Sequence, residues 1–161
     1  MSDPQAHVPN PVTTNQVKRR LLNEHVALEQ LLALLTRALE GDDSANLCEV
    51  WTRFERNLQD HLDAEEQCLF PLVLSAHRCE VEQLRDEHQH IRGALSELGI
   101  AVDLHALRKA SVDELIDYLQ RHAVREEHSL YDWIDDDMAA RRGLPAMLER
   151  RARHEAPALD E

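Results

Sequence analysis

The chain has 161 residues and carries a formal net charge of −13 at neutral pH. A chain of this length suffices for one domain with a real hydrophobic core, and two domains are not expected. The acidic balance argues against a nucleic-acid partner, because binding to a phosphate backbone needs a basic surface.

The first 14 residues are polar and contain three prolines, and they predict a flexible N-terminal tail that is not a signal peptide. No apolar stretch approaches the ~18 residues that a membrane span requires, so no membrane partner is expected. The three cysteines, Cys48, Cys68 and Cys79, are odd in number and lack a paired spacing. This usage favours a reducing compartment and therefore predicts a cytoplasmic protein.

Residues 15–140 are predicted to form an all-α fold, an antiparallel up-and-down four-helix bundle. Gly is scarce, and apolar residues recur at three- and four-residue spacing rather than in alternation. The first helix is predicted from Asn15 to Gly41, since Gly suits the left-handed conformation that follows a helix. Ser44 is predicted to cap the second helix, which Pro71 should end or bend.

The third predicted helix runs from about Val81 to Gly99, and a connection follows as far as Ala110. The sequence Ser111-Val-Asp-Glu114 has the capping-box pattern, which predicts the start of the fourth helix there. That helix is predicted to stop in the acidic run at residues 135–137. The C-terminal part, residues 141–161, is predicted to hold one short extra helix and a tail.

Two halves of the chain repeat one pattern of His and Glu. Each half has a lone His and then, 36 or 34 residues later, a His-x-x-x-Glu motif. Such self-similarity at a long period indicates a duplicated unit, here two helical hairpins that face each other. The repeated residues are His25, His61 and Glu65 in the first half, and His88, His122 and Glu126 in the second.

These six residues are predicted to bind a pair of metal ions. All six fall on the inward stripes, where the helical period calls for Leu, and burying them without partners would cost on the order of several kcal/mol per charge. A His and a Glu four residues apart lie on one helix face and can reach the same ion or adjacent ions. Each ion would receive two imidazoles, with the glutamates as bridges, which suits iron, manganese or zinc.

Five nearby residues have weaker claims to the site. Glu29 lies four positions after His25 and can add a ligand, although a solvated carboxylate is favoured. Cys68 is expected to be a small buried residue rather than a thiol sensor beside the metal. Glu66 and Glu127 fall one step off the inward face and are predicted to pair with surface Arg or Lys. Tyr131 is predicted to be core or rim rather than the wall of a ligand pocket.

The order His, His-x-x-x-Glu, His, His-x-x-x-Glu over residues 16–133 resembles the hemerythrin family, in particular the hemerythrin-like HHE cation-binding domains of bacteria. The resemblance implies two iron ions joined by an oxo or hydroxo bridge, with the six residues as ligands; manganese or zinc is the alternative. Oxygen-carrying hemerythrins have a second His on the third helix. Here the positions four before and four after His88 are Leu84 and Arg92, so that ligand is missing.

The missing ligand implies that both ions keep an open position, which favours reaction with peroxide over reversible oxygen carriage. The expected function is therefore a di-iron protein that reacts with hydrogen peroxide, O₂ or NO, catalase-like in its most concrete form, with a role in oxidative stress. The alternative is a non-enzymatic protein that binds, stores or senses O₂ or iron. Zinc as a purely structural ion is a third interpretation.

Overall fold

The computed structural model describes residues 16–41 and 44–134. The predicted N-terminal tail, the acidic run and the C-terminal helix lie outside these residues. The described chain contains six α-helices and one π-helical segment, and no strand. They are α1 (Gln16–Glu40), α2 (Ser44–Ala64), the π-helical segment Glu65–Leu69, α3 (Phe70–Val73), α4 (Arg78–Asp103), α5 (Lys109–Glu127) and α6 (Leu130–Trp133).

The long helices form a four-helix bundle, so the predicted all-α fold is confirmed. Helix α1 packs on α2, α2 on α4, α4 on α5, and α5 packs back on α1. Each helix contributes the inward stripe that its three- and four-residue apolar spacing predicts. Within the described ranges, no helix is both long enough and apolar enough to cross a membrane.

The core of the bundle is divided into two apolar clusters. The larger cluster is built around Leu35, Phe54, Leu62 and Leu95, and the smaller around Leu21, Leu69, Phe70 and Leu84. Buried histidines lie where the two clusters meet: His25 lies between Leu21 of the smaller cluster and Leu28 of the larger, and His88 lies between Leu84 and Ile91. The interior therefore holds a polar layer with apolar packing on both sides.

Pro71 does not end the second long helix. The π-helical segment Glu65–Leu69 comes directly before it, and the Phe70 N–H bonds to the Glu65 carbonyl five residues back. Pro71 consequently lies in the first turn of α3, where its missing N–H costs little. The chain stays helical to Val73.

The predicted capping box at Ser111 is wrong. Helix α5 begins at Lys109, with Arg108 in the N-cap position and no side-chain cap bond. The Ser111 N–H already bonds to the Arg108 carbonyl at 3.1 Å, so the motif lies inside the first turn. The predicted continuous fourth helix is also wrong, because α5 ends at Glu127 and Ser129, with φ −135° and ψ −82°, separates it from α6.

The third long helix continues past the predicted stop at Gly99 and ends at Asp103. Gly99 lies beside the indole of Trp51, where a Cβ atom would be 3.4 Å from Nε1. Close packing on Trp51, rather than a helix end, therefore explains a small residue at this position.

Replacing Gly93 by Ala is expected to raise the free energy of unfolding by about 0.5–1 kcal/mol. Gly93 is exposed inside α4, and a Cβ there meets no atom within 4 Å. Gly99→Ala in the same helix is the matched control and should gain less, since its methyl group contacts Trp51. Urea denaturation of both variants measures the difference, and a less stable Gly93→Ala would contradict a continuous α4.

Candidate metal centre

The polar layer contains one His from each long helix. All four side chains are buried, and their Nε2 atoms converge on the bundle interior. His25 and His61 form one pair, with Nε2 atoms 3.1 Å apart. His88 and His122 form the other, with ring centroids 5.0 Å apart. The two pairs are those that the sequence repeat predicts.

Glu65 and Glu126, the inner glutamates, lie between the two histidine pairs and are fully buried. The two oxygens of Glu65 lie 3.5 Å from His61 Nε2 and 3.5 Å from His88 Nε2. The two oxygens of Glu126 lie 2.8 Å from His122 Nε2 and 3.3 Å from His25 Nε2. Each inner glutamate therefore reaches both pairs.

The donor atoms form two overlapping groups, in each of which the ligand atoms lie within 4.8 Å of one another. Both groups contain both inner glutamates, so the carboxylates are shared. The first group is His25, His61, Glu65 and Glu126, and the second is Glu65, His88, His122 and Glu126. All six residues singled out in the sequence thus come together in an arrangement that can hold two cations.

Three atoms of the cluster are buried without a hydrogen-bond partner: Glu65 Oε2, Glu126 Oε2 and His122 Nε2. The last lies 2.8 Å from Glu126 Oε1, but the two atoms are not aligned for a hydrogen bond. Buried carboxylate oxygens without partners are destabilising and rare. Metal cations would satisfy all three atoms at once, so the donor set fits a metal centre.

A second carboxylate lies on the far side of every imidazole ring, where it faces Nδ1. Such a partner holds the proton on Nδ1 and leaves the Nε2 lone pair for a metal ion. We call these four residues the outer glutamates. They are Glu127 at 3.0 Å from His25, Glu24 at 2.9 Å from His61, Glu66 at 2.8 Å from His88, and Glu87 at 2.8 Å from His122.

The outer glutamates were only partly predicted. Glu66 accepts a hydrogen bond from Arg92 at 2.7 Å, as expected of a surface carboxylate, but it also bonds to His88. The prediction for Glu127 is wrong, because its partner is His25. A signal was present in the sequence: the Glu-His pair at residues 24–25 recurs at 87–88, and the Glu-Glu pair at 65–66 recurs at 126–127.

Tyr131 reaches the cluster as well. Its ring belongs to the smaller apolar cluster, as the prediction of a core residue implies. Its hydroxyl donates a hydrogen bond of 2.5 Å to Glu65 Oε1 and lies 3.0 Å from His25 Nε2. Burial, with Glu65 and Glu126 nearby, raises the pKa of Tyr131 well above its usual value, so the hydroxyl keeps its proton.

The two other candidates stay outside the donor groups. Glu29 is exposed, and Cys68 is buried in the smaller apolar cluster. Glu29 does line a cavity of about 310 Å³ between α1 and α5. The floor of this cavity includes His25, His61 and His122, and its walls are mainly apolar, with Leu28, Leu32 and Ile116 among them. A small molecule in the cavity would therefore contact the histidines directly.

Protons can occupy the cluster when metal does not. Burial alone would lower the pKa of His25 and His88, but the adjacent inner glutamates raise both to about 9. His122 follows the same pattern beside Glu126, and its pKa rises to about 10. Burial would raise the pKa of Glu126, yet His122 and the other histidines hold it well below the usual value.

Comparison with family models matches the chain to the hemerythrin HHE cation binding domain over residues 17–106 and again over residues 79–161. The first matched stretch contains the motif His61-x-x-x-Glu65, and the second contains the motif His122-x-x-x-Glu126. Neither the curated proteins nor the solved structures include a match to this chain.

The metal-free protein is expected to lose stability as pH rises from about 7 to about 10. Three of the histidines have folded-state pKa values of about 9 to about 10, above the unfolded value of 6.5. Their stabilisation is complete below the unfolded pKa and disappears as pH rises through the folded pKa. Melting temperatures of the metal-free protein between pH 6 and pH 10 test this, and a flat profile would contradict it.

Removing the charge of an outer glutamate is expected to weaken metal binding without unfolding the bundle. Glu24→Gln and Glu87→Gln occupy repeated positions, and each should reduce metal affinity by about 10- to 100-fold. Glu29→Gln is the control, since Glu29 is exposed on the same helix as Glu24 and outside both donor groups. Competition with a chromophoric chelator measures the affinities, and three equal values would show that the outer glutamates do not orient the imidazoles.

Proposed function

The chain belongs to the hemerythrin HHE cation-binding domain family, and we propose that its polar layer binds two iron ions that react with hydrogen peroxide, O₂ or NO. Catalase-like breakdown of peroxide is the most concrete form of this activity. The observation that carries the proposal is the pair of overlapping donor groups. In the proposal one ion is held by His25 and His61, the other by His88 and His122, and Glu65 and Glu126 are shared.

Donor chemistry supports iron. Imidazole and carboxylate ligands suit iron, manganese and zinc, and neither donor group in the described part of the chain contains a cysteine. Iron is the ion that the hemerythrin resemblance implies. A pair of iron ions, when bound, supplies the electron transfer that peroxide or O₂ chemistry requires.

The protein's own residues prepare the layer for this role. The outer glutamates fix the tautomer of each imidazole, so that Nε2 carries the free lone pair. Arg92 in turn holds Glu66 at 2.7 Å and Asp63 at 2.6 Å, which limits the movement of one outer glutamate. The apolar clusters on both sides exclude bulk water, and the carboxylates offset the charge of the cations.

The cavity supports a small uncharged substrate. Its mainly apolar walls lead to His25, His61 and His122, while Glu29 contributes a negative charge. Hydrogen peroxide, O₂ and NO carry no net charge and meet no desolvation penalty of the kind an anion would meet there. The same route would serve a non-enzymatic O₂ carrier or sensor, so turnover separates the two functions.

A reducing cellular compartment is part of the proposal. Cys48, Cys68 and Cys79 all lie among the described residues and form no disulfide. Free thiols are best preserved where disulfides are rare, as in the cytoplasm.

Protein purified from iron-supplemented cells is expected to contain about two iron ions per chain and to consume hydrogen peroxide faster than the same concentration of free iron. Elemental analysis with an ultraviolet–visible spectrum and a peroxide assay measures both. Full iron content without peroxide consumption, together with a spectrum that changes reversibly under O₂, would favour the binding protein. A colourless protein with one zinc ion would overturn the proposal.

Glu65→Ala is expected to lower iron content and melting temperature together, because the variant removes a carboxylate shared by both donor groups. Glu29→Ala, at an exposed position outside both groups, is the control and should keep both values. Full iron retention in Glu65→Ala would contradict the shared role of this glutamate.

A further inference from the structure

The sequence repeat places an aromatic residue five positions after each inner glutamate: Phe70 follows Glu65, and Tyr131 follows Glu126. In an uninterrupted α-helix, five residues would turn a side chain roughly 140° away from the glutamate. Both halves leave α-helical geometry within this interval. The first half does so in the π-helical segment, and the second does so at Ser129.

These departures bring both rings to equivalent places beside the polar layer. Phe70 stacks on His88, with ring centroids 5.3 Å apart and planes inclined by 29°. Tyr131 lies against His25 at 5.4 Å and 34°. His25 and His88 are equivalent in the repeat, so the two contacts correspond. The aromatic pair differs between the halves by a single hydroxyl group.

That hydroxyl contacts only one side of the shared carboxylate. Tyr131 donates to Glu65 Oε1, the oxygen that faces His61. The other oxygen, Oε2, faces His88 and accepts no hydrogen bond. The hydroxyl also lies 3.0 Å from His25 Nε2. It therefore acts on the half of the cluster that contains His25 and His61.

We propose that Tyr131 is a positioning residue that makes the two metal positions unequal, with the ion at His25 and His61 held more weakly than the ion at His88 and His122. This inference rests on the proposed binding of two ions. A hydrogen bond to a carboxylate oxygen withdraws electron density from it and weakens its bond to a cation. Glu65 Oε1 is affected in this way, whereas Oε2 is not.

The proposed difference in how firmly the two ions are held agrees with the position of the cavity. Both histidines of one pair, His25 and His61, line the cavity, whereas of the other pair only His122 does. The ion proposed to be held more weakly would therefore have both of its histidines at the cavity, and the other ion only one.

The test uses an exchange of the two aromatic residues. The wild-type protein should release its two irons to a chelator in two steps of equal amplitude, with rates that differ by about fivefold, the factor expected for one hydrogen bond. Tyr131→Phe should bring the two rates to within about twofold. Phe70→Tyr, which adds the hydroxyl to the other half, should also merge them. The exchange variant Tyr131→Phe with Phe70→Tyr should restore two steps.

Mössbauer spectra of protein loaded with ⁵⁷Fe provide a readout independent of turnover. Two distinct iron signals are expected in the wild-type and exchange variants, and closely similar signals in each single variant. Because Phe70→Tyr keeps Tyr131, it tests the inference even where Tyr131→Phe lowers stability. Iron content is measured first, since wild-type protein without iron would overturn the proposed function itself.

Other outcomes overturn the inference alone. Two irons released in one step from the wild type would do so, as would two steps that persist unchanged in both single variants. A visible tyrosinate-to-iron absorption that disappears in Tyr131→Phe would also overturn it, because the phenol would then be a ligand and not a hydrogen-bond donor.

Discussion

The structure depends on the burial of two carboxylates and four imidazoles in one layer of a helical bundle. Glu65 and Glu126 are fully buried, and each leaves one oxygen without a hydrogen-bond partner. Such carboxylates are tolerated only where cations or protons bind to them. An unpaired buried charge costs on the order of several kcal/mol, which is comparable to the net stability of a whole domain. The apolar clusters on either side stabilise the bundle so that the layer can be kept for binding.

The outer glutamates connect the four helices in a closed ring. Helix α1 supplies the carboxylate that bonds to the His of α2, and the π-helical segment after α2 supplies the carboxylate that bonds to the His of α4. In the same way α4 supplies the carboxylate for the His of α5, and α5 supplies the carboxylate for the His of α1. No helix supports its own His in this way. The orientation of each imidazole therefore depends on how two neighbouring helices are placed, which ties the metal centre to the packing of the whole bundle.

Sequence periodicity was sufficient to predict the bundle and to bring six donor residues to its interior, because the register of His61 with Glu65 on one helix is a local property. Contacts that depend on the rotation of one helix against another were harder to predict from the sequence. Glu127 was assigned to the surface although it bonds to His25 across a helix interface. Tyr131 was expected to lie in the core or at its rim, and the contact of its hydroxyl with Glu65 was missed because the helix break at Ser129 has no periodic signal. The π-helical segment before Pro71 also has no periodic signal in the sequence.

The sharing of the inner glutamates has a consequence for ancestry. Each donor group takes two imidazoles from one hairpin but a carboxylate from both, so a single hairpin with this pattern would lack a ligand at every position. A single hairpin would complete both donor groups only by pairing with an identical copy. Gene duplication and fusion would have joined such a symmetric dimer into one polypeptide. Only after that event could Phe70 and Tyr131 become different residues, since in a homodimer any substitution appears on both sides.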